Sequence, residues 1–125
     1  MKKIVQTGNA PKPIGAYNQA VRAGRFLFVS GQLGIDPKNG KITETNIIAQ
    51  TNRALENIKA ILEAEAYSLN EVVQSSVFLS SVELFSDFNR EYGKYFPKEP
   101  PARVTVGATL GLGALVEISV IAYKE

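Results

Sequence analysis

The residues of this chain best suited to chemistry are Arg103 and Glu117, one cation and one carboxylate in an otherwise apolar run from Pro100 to Ile118. An arginine presents a planar fork that binds a carboxylate through two parallel hydrogen bonds. A carboxylate beside it can hold or polarise a water molecule. Together they describe a small anion-binding pocket with an acid or base at hand. Singly, each has a plainer reading: Arg103 as a salt bridge at a strand edge, Glu117 as the partner of Arg103 or a lysine across the sheet. Residues 102–108 alternate, with Ala102, Val104, Val106 and Ala108 on one face and Arg103, Thr105 and Gly107 on the other. Residues 115–123 alternate as well. Val116, Ile118, Val120 and Ala122 make an apolar face; Leu115, Glu117, Ser119, Ile121 and Tyr123 make a mixed one. Strand side chains repeat with a period of two, so both charges fall on the less apolar face of their strands. A charge there needs a partner, water or a ligand.

Four further residues are candidates. Tyr17 ends a proline-bearing loop, as a lid or as a ring capping the core. Ser30 and Gly31 stand at the end of an apolar strand, where glycine permits close backbone approach and serine can orient a ligand. Asn89 lies between aromatic residues of a helix, as a ligand contact or as a solvated side chain. Gly111-Leu112-Gly113 lacks the lysine and the following helix of a phosphate loop. The chain has no histidine and no cysteine. That removes the commonest general base, the commonest metal ligand, and all thiolate and disulfide chemistry. Nothing has metal-ligand spacing.

These residues need elements to hold them. Lys2 to Gln6 reads as a short strand, and Pro11 and Pro13 keep the following stretch irregular. Asn18–Ala23 and Phe26–Gly31 read as strands joined through Gly24. Asp36-Pro37 and Asn39-Gly40 are turn signals. A helix is predicted over Asn46–Ala66, with Ile47, Ile48, Ala54, Leu55, Ile58, Ile61 and Leu62 on its apolar face. Gln50, Arg53, Glu56, Lys59 and Glu63 are assigned to its solvated face. Ser68 and Glu71 have capping-box spacing, Val72–Leu79 reads as a strand, and Glu83–Phe96 as a second helix closed by Pro97. The order is β-β-β-α-β-α-β-β: an α+β domain over residues 1–125, one mixed sheet with both helices on one face. The opposite face is assigned Phe26, Phe28, Phe78, Leu115 and Ile121, together with Arg103 and Glu117. So much exposed apolar area predicts that copies of the chain bury it against each other.

The 125 residues fit one domain with a substantial core. The net charge of +2 comes from scattered lysines and arginines, so nucleic acid, which demands a clustered basic footprint, is not an expected partner. No segment approaches the ~20 apolar residues of a membrane helix, and the first residues have no signal-peptide run. A soluble, cytoplasmic protein with no membrane partner is expected.

Five ordered pieces then carry a resemblance: Ile14-Gly-Ala-Tyr-Asn-Gln-Ala20, Leu27-Phe-Val-Ser-Gly-Gln32, Asp36-Pro-Lys-Asn-Gly40, Phe88-Asn-Arg-Glu-Tyr92 ahead of Tyr95-Phe-Pro97, and Pro101-Ala-Arg103 with Val116-Glu-Ile118. Over nearly its full length the chain resembles the RidA/YjgF family. The resemblance implies a chorismate-mutase-like fold, a homotrimer with three clefts between subunits, and no cofactor. It implies hydrolysis of reactive 2-imino acids or their enamine tautomers, such as 2-aminoacrylate and 2-iminobutanoate, to 2-oxo acids and ammonia. Arg103 would bind the substrate carboxylate and Glu117 would stand near the imine or water. Tyr17, Ser30, Gly31 and Asn89 would complete the pocket, with the backbone of Val104 and Thr105 beside the ligand. Thr105 stands where some relatives carry cysteine, and the segment from Arg103 to Glu117 is one residue shorter than in the best-known members. A non-catalytic module binding small 2-oxo or amino acids is the alternative. A ribonuclease, a label attached to parts of the family, would have to work without histidine or a basic patch.

Overall fold

The computed structural model describes residues 1–125. Its strands are β1 (Lys3–Val5), β2 (Ala20–Ala23), β3 (Phe26–Leu33), β4 (Val72–Leu79), β5 (Ala102–Gly107) and β6 (Val116–Tyr123). Its helices are α1 (Ile47–Ala64) and α2 (Phe85–Tyr95). The strands form one sheet in the order β1-β2-β3-β6-β4-β5. Only β4 and β5 run parallel, joined by the crossover through α2, as parallel neighbours require. The β2–β3 hairpin turns on Gly24, whose φ of 61° is left-handed. No helix is long and apolar enough to cross a membrane.

Helix α1 begins directly after Asn46, whose backbone is extended and whose side-chain oxygen accepts the Ala49 N–H at 2.8 Å. Such a cap stabilises a helix by about 1 kcal/mol. Leu55, Ile58, Ile61 and Leu62 are fully buried against the sheet, each contributing roughly 1.5–3 kcal/mol through removal from water. Two positions depart from the periodic expectation. Ile48 is exposed, and Gln50 is only 3% exposed. The Gln50 amide donates to Glu44 O and accepts the Leu115 N–H, both at 2.9 Å. It thus ties the start of α1 to the approach of β6, and two backbone groups compensate its burial. Glu71 accepts the Ser68 N–H at 2.8 Å, as the capping-box spacing predicts. The residues before α2, Val82–Leu84, form a separate 3-10 turn, so the α-helix starts two residues later than its pattern suggests.

Both helices lie on one face of the sheet. Leu27, Val29, Val77, Leu79, Val116, Ile118, Val120 and Ala122 point into the core beneath them. Phe26, Phe28, Val104 and Val106 are exposed on the other face, where Phe78 and Ile121 are half-buried. Leu115 instead packs at the margin of the core, because it precedes the regular strand. Arg103 also departs from its expected face. It is level with Ser75 on β4, and Ser75 is level with the core residue Val120 on β6. Residues paired laterally share a face, so Arg103 lies on the helix side. Glu117 is level with Phe78, which is level with Val106, and it lies on the open side. Alternation places each charge on the less apolar face of its own strand. At the sheet edge that face is the helix side, because the core thins out there and leaves room for a charge.

Candidate functional site

The open-side group is built around a bulge. The β3–β6 register shifts between Val29 and Gln32, which places Ser30 and Gly31 in an extra step of chain. Ser30 is held by the residues that lead into β2: its N–H donates to Gln19 O at 2.9 Å and its Oγ to Asn18 O at 2.5 Å. The bulge brings Gly31 onto the Glu117 side chain. A methyl group at position 31 would stand 2.9 Å from the Glu117 carboxyl carbon and closer still to Oε2. Glycine is therefore required by close approach.

Tyr17 is 46% exposed, which excludes the core-capping role, and its hydroxyl accepts the Ile14 N–H at 3.2 Å. With Ser30, Gly31, Glu117, Lys12 and Leu112 it lines a cavity of about 470 Å³. Leu112 reaches that cavity from the short turn Gly111–Gly113, where its φ is 59°. The loop that carries Tyr17 is organised by Gln19, which the motif contained but whose role the sequence did not disclose. Its buried amide donates to Thr7 O, Ala10 O and Pro11 O at 2.8–3.2 Å and accepts the Thr7 N–H at 2.7 Å. A glutamine closing the loop that holds Pro11 and Pro13 was the available signal, since prolines remove backbone donors and leave carbonyls in need of partners.

The helix-side group is built on aromatic rings. The Arg103 guanidinium carbon lies 4.8 Å from the Tyr92 ring centroid, 5.4 Å from Phe85 and 5.6 Å from Phe88. Its Nη1 donates to Asn89 Oδ1 at 2.9 Å. Arg103, Asn89, Tyr92, Phe96, Pro100 and Pro101 line a second cleft of about 380 Å³. Thr105 shares this face, and its Oγ1 is buried without a hydrogen-bond partner. Val104 points to the open side. Neither Arg103 nor Glu117 forms an ion pair within the chain. The structure thus gathers Tyr17, Ser30, Gly31 and Glu117 in one place and Asn89 and Arg103 in another.

The comparisons agree with this architecture. The family model described as endoribonuclease L-PSP matches residues 7–124. A RutC family protein of Pyrococcus horikoshii is 52% identical, over 100% of this chain and 100% of that protein. The mouse protein named 2-iminobutanoate/2-iminopropanoate deaminase is 37% identical, over 99% of this chain and 93% of its own length. A solved structure from Thermotoga maritima superposes with a TM-score of 0.96 at 46% identity, covering 100% of this chain and 99% of that one. The α+β sheet with two helices on one face and this degree of similarity define the class, and the chain belongs to the RidA/YjgF family.

Proposed function

We propose that the protein hydrolyses 2-imino acids and their enamine tautomers, 2-aminoacrylate/2-iminopropanoate and 2-iminobutanoate among them, to 2-oxo acids and ammonia in the cytoplasm. The observation that carries the reading is a pair of opposite charges without ion-pair partners, each lining its own cavity, with Asn89 holding Arg103 and Gly31 packed against Glu117. The likeness to the mouse 2-iminobutanoate/2-iminopropanoate deaminase supports the substrate class.

In this mechanism Arg103 clamps the substrate carboxylate through its free N–H donors. Glu117 accepts a proton from a water molecule as its oxygen bonds to the imine carbon and the C=N π bond breaks. The nitrogen takes that proton from Glu117 as it receives the π pair, giving the carbinolamine; Glu117 then relays the hydroxyl proton to the nitrogen as the C–N bond breaks, so ammonia leaves and the hydroxyl oxygen becomes the carbonyl. Imine hydrolysis is intrinsically easy, so positioning and charge complementarity suffice without a strong base.

A small imino acid cannot bridge the two groups of one chain. Arg103 and Glu117 are on opposite sheet faces and three residue levels apart, roughly 10 Å along the strands at about 3.3 Å per residue. The active unit in this reading is a homotrimer. One subunit supplies Tyr17, Ser30, Gly31 and Glu117 to each cleft, and its neighbour supplies Asn89 and Arg103. The apolar open face, with Phe26, Phe28 and Val106 exposed in the single chain, is then covered by the association.

The test generates 2-aminoacrylate or 2-iminobutanoate in situ and follows release of the 2-oxo acid. Arg103→Ala should lower kcat/KM at least about a hundredfold, and Arg103→Lys nearly as much, because a point charge does not reproduce the fork. Normal imine hydrolysis by folded Arg103→Ala would sink the assignment. Tight binding of 2-oxobutanoate by the wild type without any turnover would support a binding module instead.

A further inference from the structure

The side of Arg103 that faces the protein contains a polar pair that core packing does not require. Ser75 sits in the middle of β4, fully buried, on the same face as Val77 and Leu79. Its Oγ lies 2.6 Å from the Tyr92 hydroxyl on α2, a hydroxyl that also interacts with the Arg103 guanidinium. The bond between two buried hydroxyls adds little to stability by itself, since replacing both partners by apolar groups of the same shape is nearly neutral. Alanine and phenylalanine would fill the same space. The bond does fix the ring of Tyr92, and that ring is the nearest of the three that surround the Arg103 guanidinium, at 4.8 Å.

The neighbouring rings stack on it in turn. Phe88 lies 5.3 Å from Tyr92 and Phe96 lies 4.8 Å from it, centroid to centroid. Ser75 is also the residue level with Arg103 on the adjacent parallel strand. The strand that carries the arginine and the helix that carries its platform are therefore tied at one level. Asn89 holds the guanidinium from the α2 side through one of its five N–H donors. A guanidinium fixed by one in-plane bond and one ring keeps its remaining donors aimed in a set direction, which a bidentate carboxylate contact needs.

We propose that Ser75 and Tyr92 are positioning residues for Arg103, setting the orientation of its fork for a substrate carboxylate while touching no reacting atom. Burial raises the Tyr92 hydroxyl above its ordinary ionisation range, against the lowering effects of Ser75 and Arg103. The ring therefore stays neutral and presents a constant π face to the cation. This inference rests on the reading of Arg103 as the carboxylate clamp.

The test compares Ser75→Ala, Tyr92→Phe and the double variant. Melting temperature, imine KM and kcat, and the dissociation constant of 2-oxobutanoate are measured for each. Each single variant leaves one buried hydroxyl unpaired and should melt lower; the double variant leaves none and should melt near the wild type. If the pair positions Arg103, KM and the 2-oxobutanoate dissociation constant rise about tenfold in all three variants, with kcat changing less. Ser75→Thr, which keeps the hydroxyl, should bind like the wild type. The informative outcome is a double variant with restored melting and unrestored binding, because a purely structural pair would recover both. Wild-type binding in the double variant beside an inactive Arg103→Ala overturns this inference alone. Full turnover by Arg103→Ala overturns the clamp reading and this inference with it.

Discussion

Arg103 and Glu117 occupy opposite faces of one sheet: Arg103 lies level with the core residue Val120, and Glu117 level with the open-face residue Phe78. Each faces its own cavity without an ion-pair partner in the chain. A site that uses both must draw them from two copies of the protein. If every cleft takes its arginine from one subunit and its glutamate from the next, two inactive variants can complement each other. Arg103→Ala and Glu117→Gln, unfolded and refolded together at equal concentration, should regain about a quarter of wild-type activity by random assembly. Each variant refolded alone should regain none. Mixed trimers as inactive as their parents would place both residues of each working site in one subunit and refute the shared cleft.

Gly31 is predicted to be the least replaceable glycine for activity. Alanine there collides with the Glu117 carboxylate, and the strand can relieve the clash only by turning that side chain away. A displacement of about 1 Å of a reacting group costs about a hundredfold in rate. Gly31→Ala should therefore keep its fold and lose about that factor in kcat, while Gly93→Ala, with open space around it, should stay near wild type. Unimpaired turnover by Gly31→Ala would show that the position of Glu117 does not matter.

Assembly is best probed away from the carboxylate. Phe78 is a poor choice because it pairs in register with Glu117, and a new charge there would act on both interface and site. Phe28 is 43% exposed in the single chain and pairs with Ile121. Phe28→Asp should leave the subunit folded by circular dichroism, dissociate the trimer in light scattering at micromolar concentration, and abolish hydrolysis. A monodisperse, fully active monomer of either wild type or variant would refute the proposed assembly.

Stability in acid should depend on Glu65. Its Oε2 accepts Lys3 Nζ at 2.9 Å and Arg22 Nη1 at 3.0 Å, joining β1 and β2 to the end of α1. The hydrogen bond from Lys3, then that from Arg22, lowers its ionisation below the ordinary value of 4.5, against the opposing effect of burial. A depressed folded-state value contributes stability that is present above the unfolded value and lost as pH falls through the folded one. Glu65→Gln should accordingly melt lower than the wild type at pH 7, and the gap should close below about pH 4.5. A gap that does not change with pH would assign the loss to packing.

Much of the fold was legible because it follows from local backbone rules. The strand Val72–Leu79 has the bounds read from the sequence, and α1 starts directly after Asn46, where the predicted helix begins. The parallel β4–β5 pair follows from a crossover helix between two strands, and the apolar positions of β6 are the buried ones. Arg103, Glu117, Tyr17, Ser30, Gly31 and Asn89 could be singled out by type and neighbourhood alone.

Their arrangement could not. Alternation says which residues of one strand point together, but which side of the sheet that becomes depends on strand order, edge position and where the helices pack. Arg103 and Glu117 are therefore alike in sequence pattern and opposite in space. Long-range polar contacts were hidden for the same reason. Gln50 occupies a helix position that reads as solvated until Leu115, 65 residues later, donates its N–H to it. Ser75 reads as an ordinary strand residue until α2 brings Tyr92 within 2.6 Å. The approach of Gly31 to Glu117 exists only because a bulge forms where two strands distant in sequence meet. Local steric preference writes the elements into the sequence; the pairing of surfaces between them is a property of the folded whole.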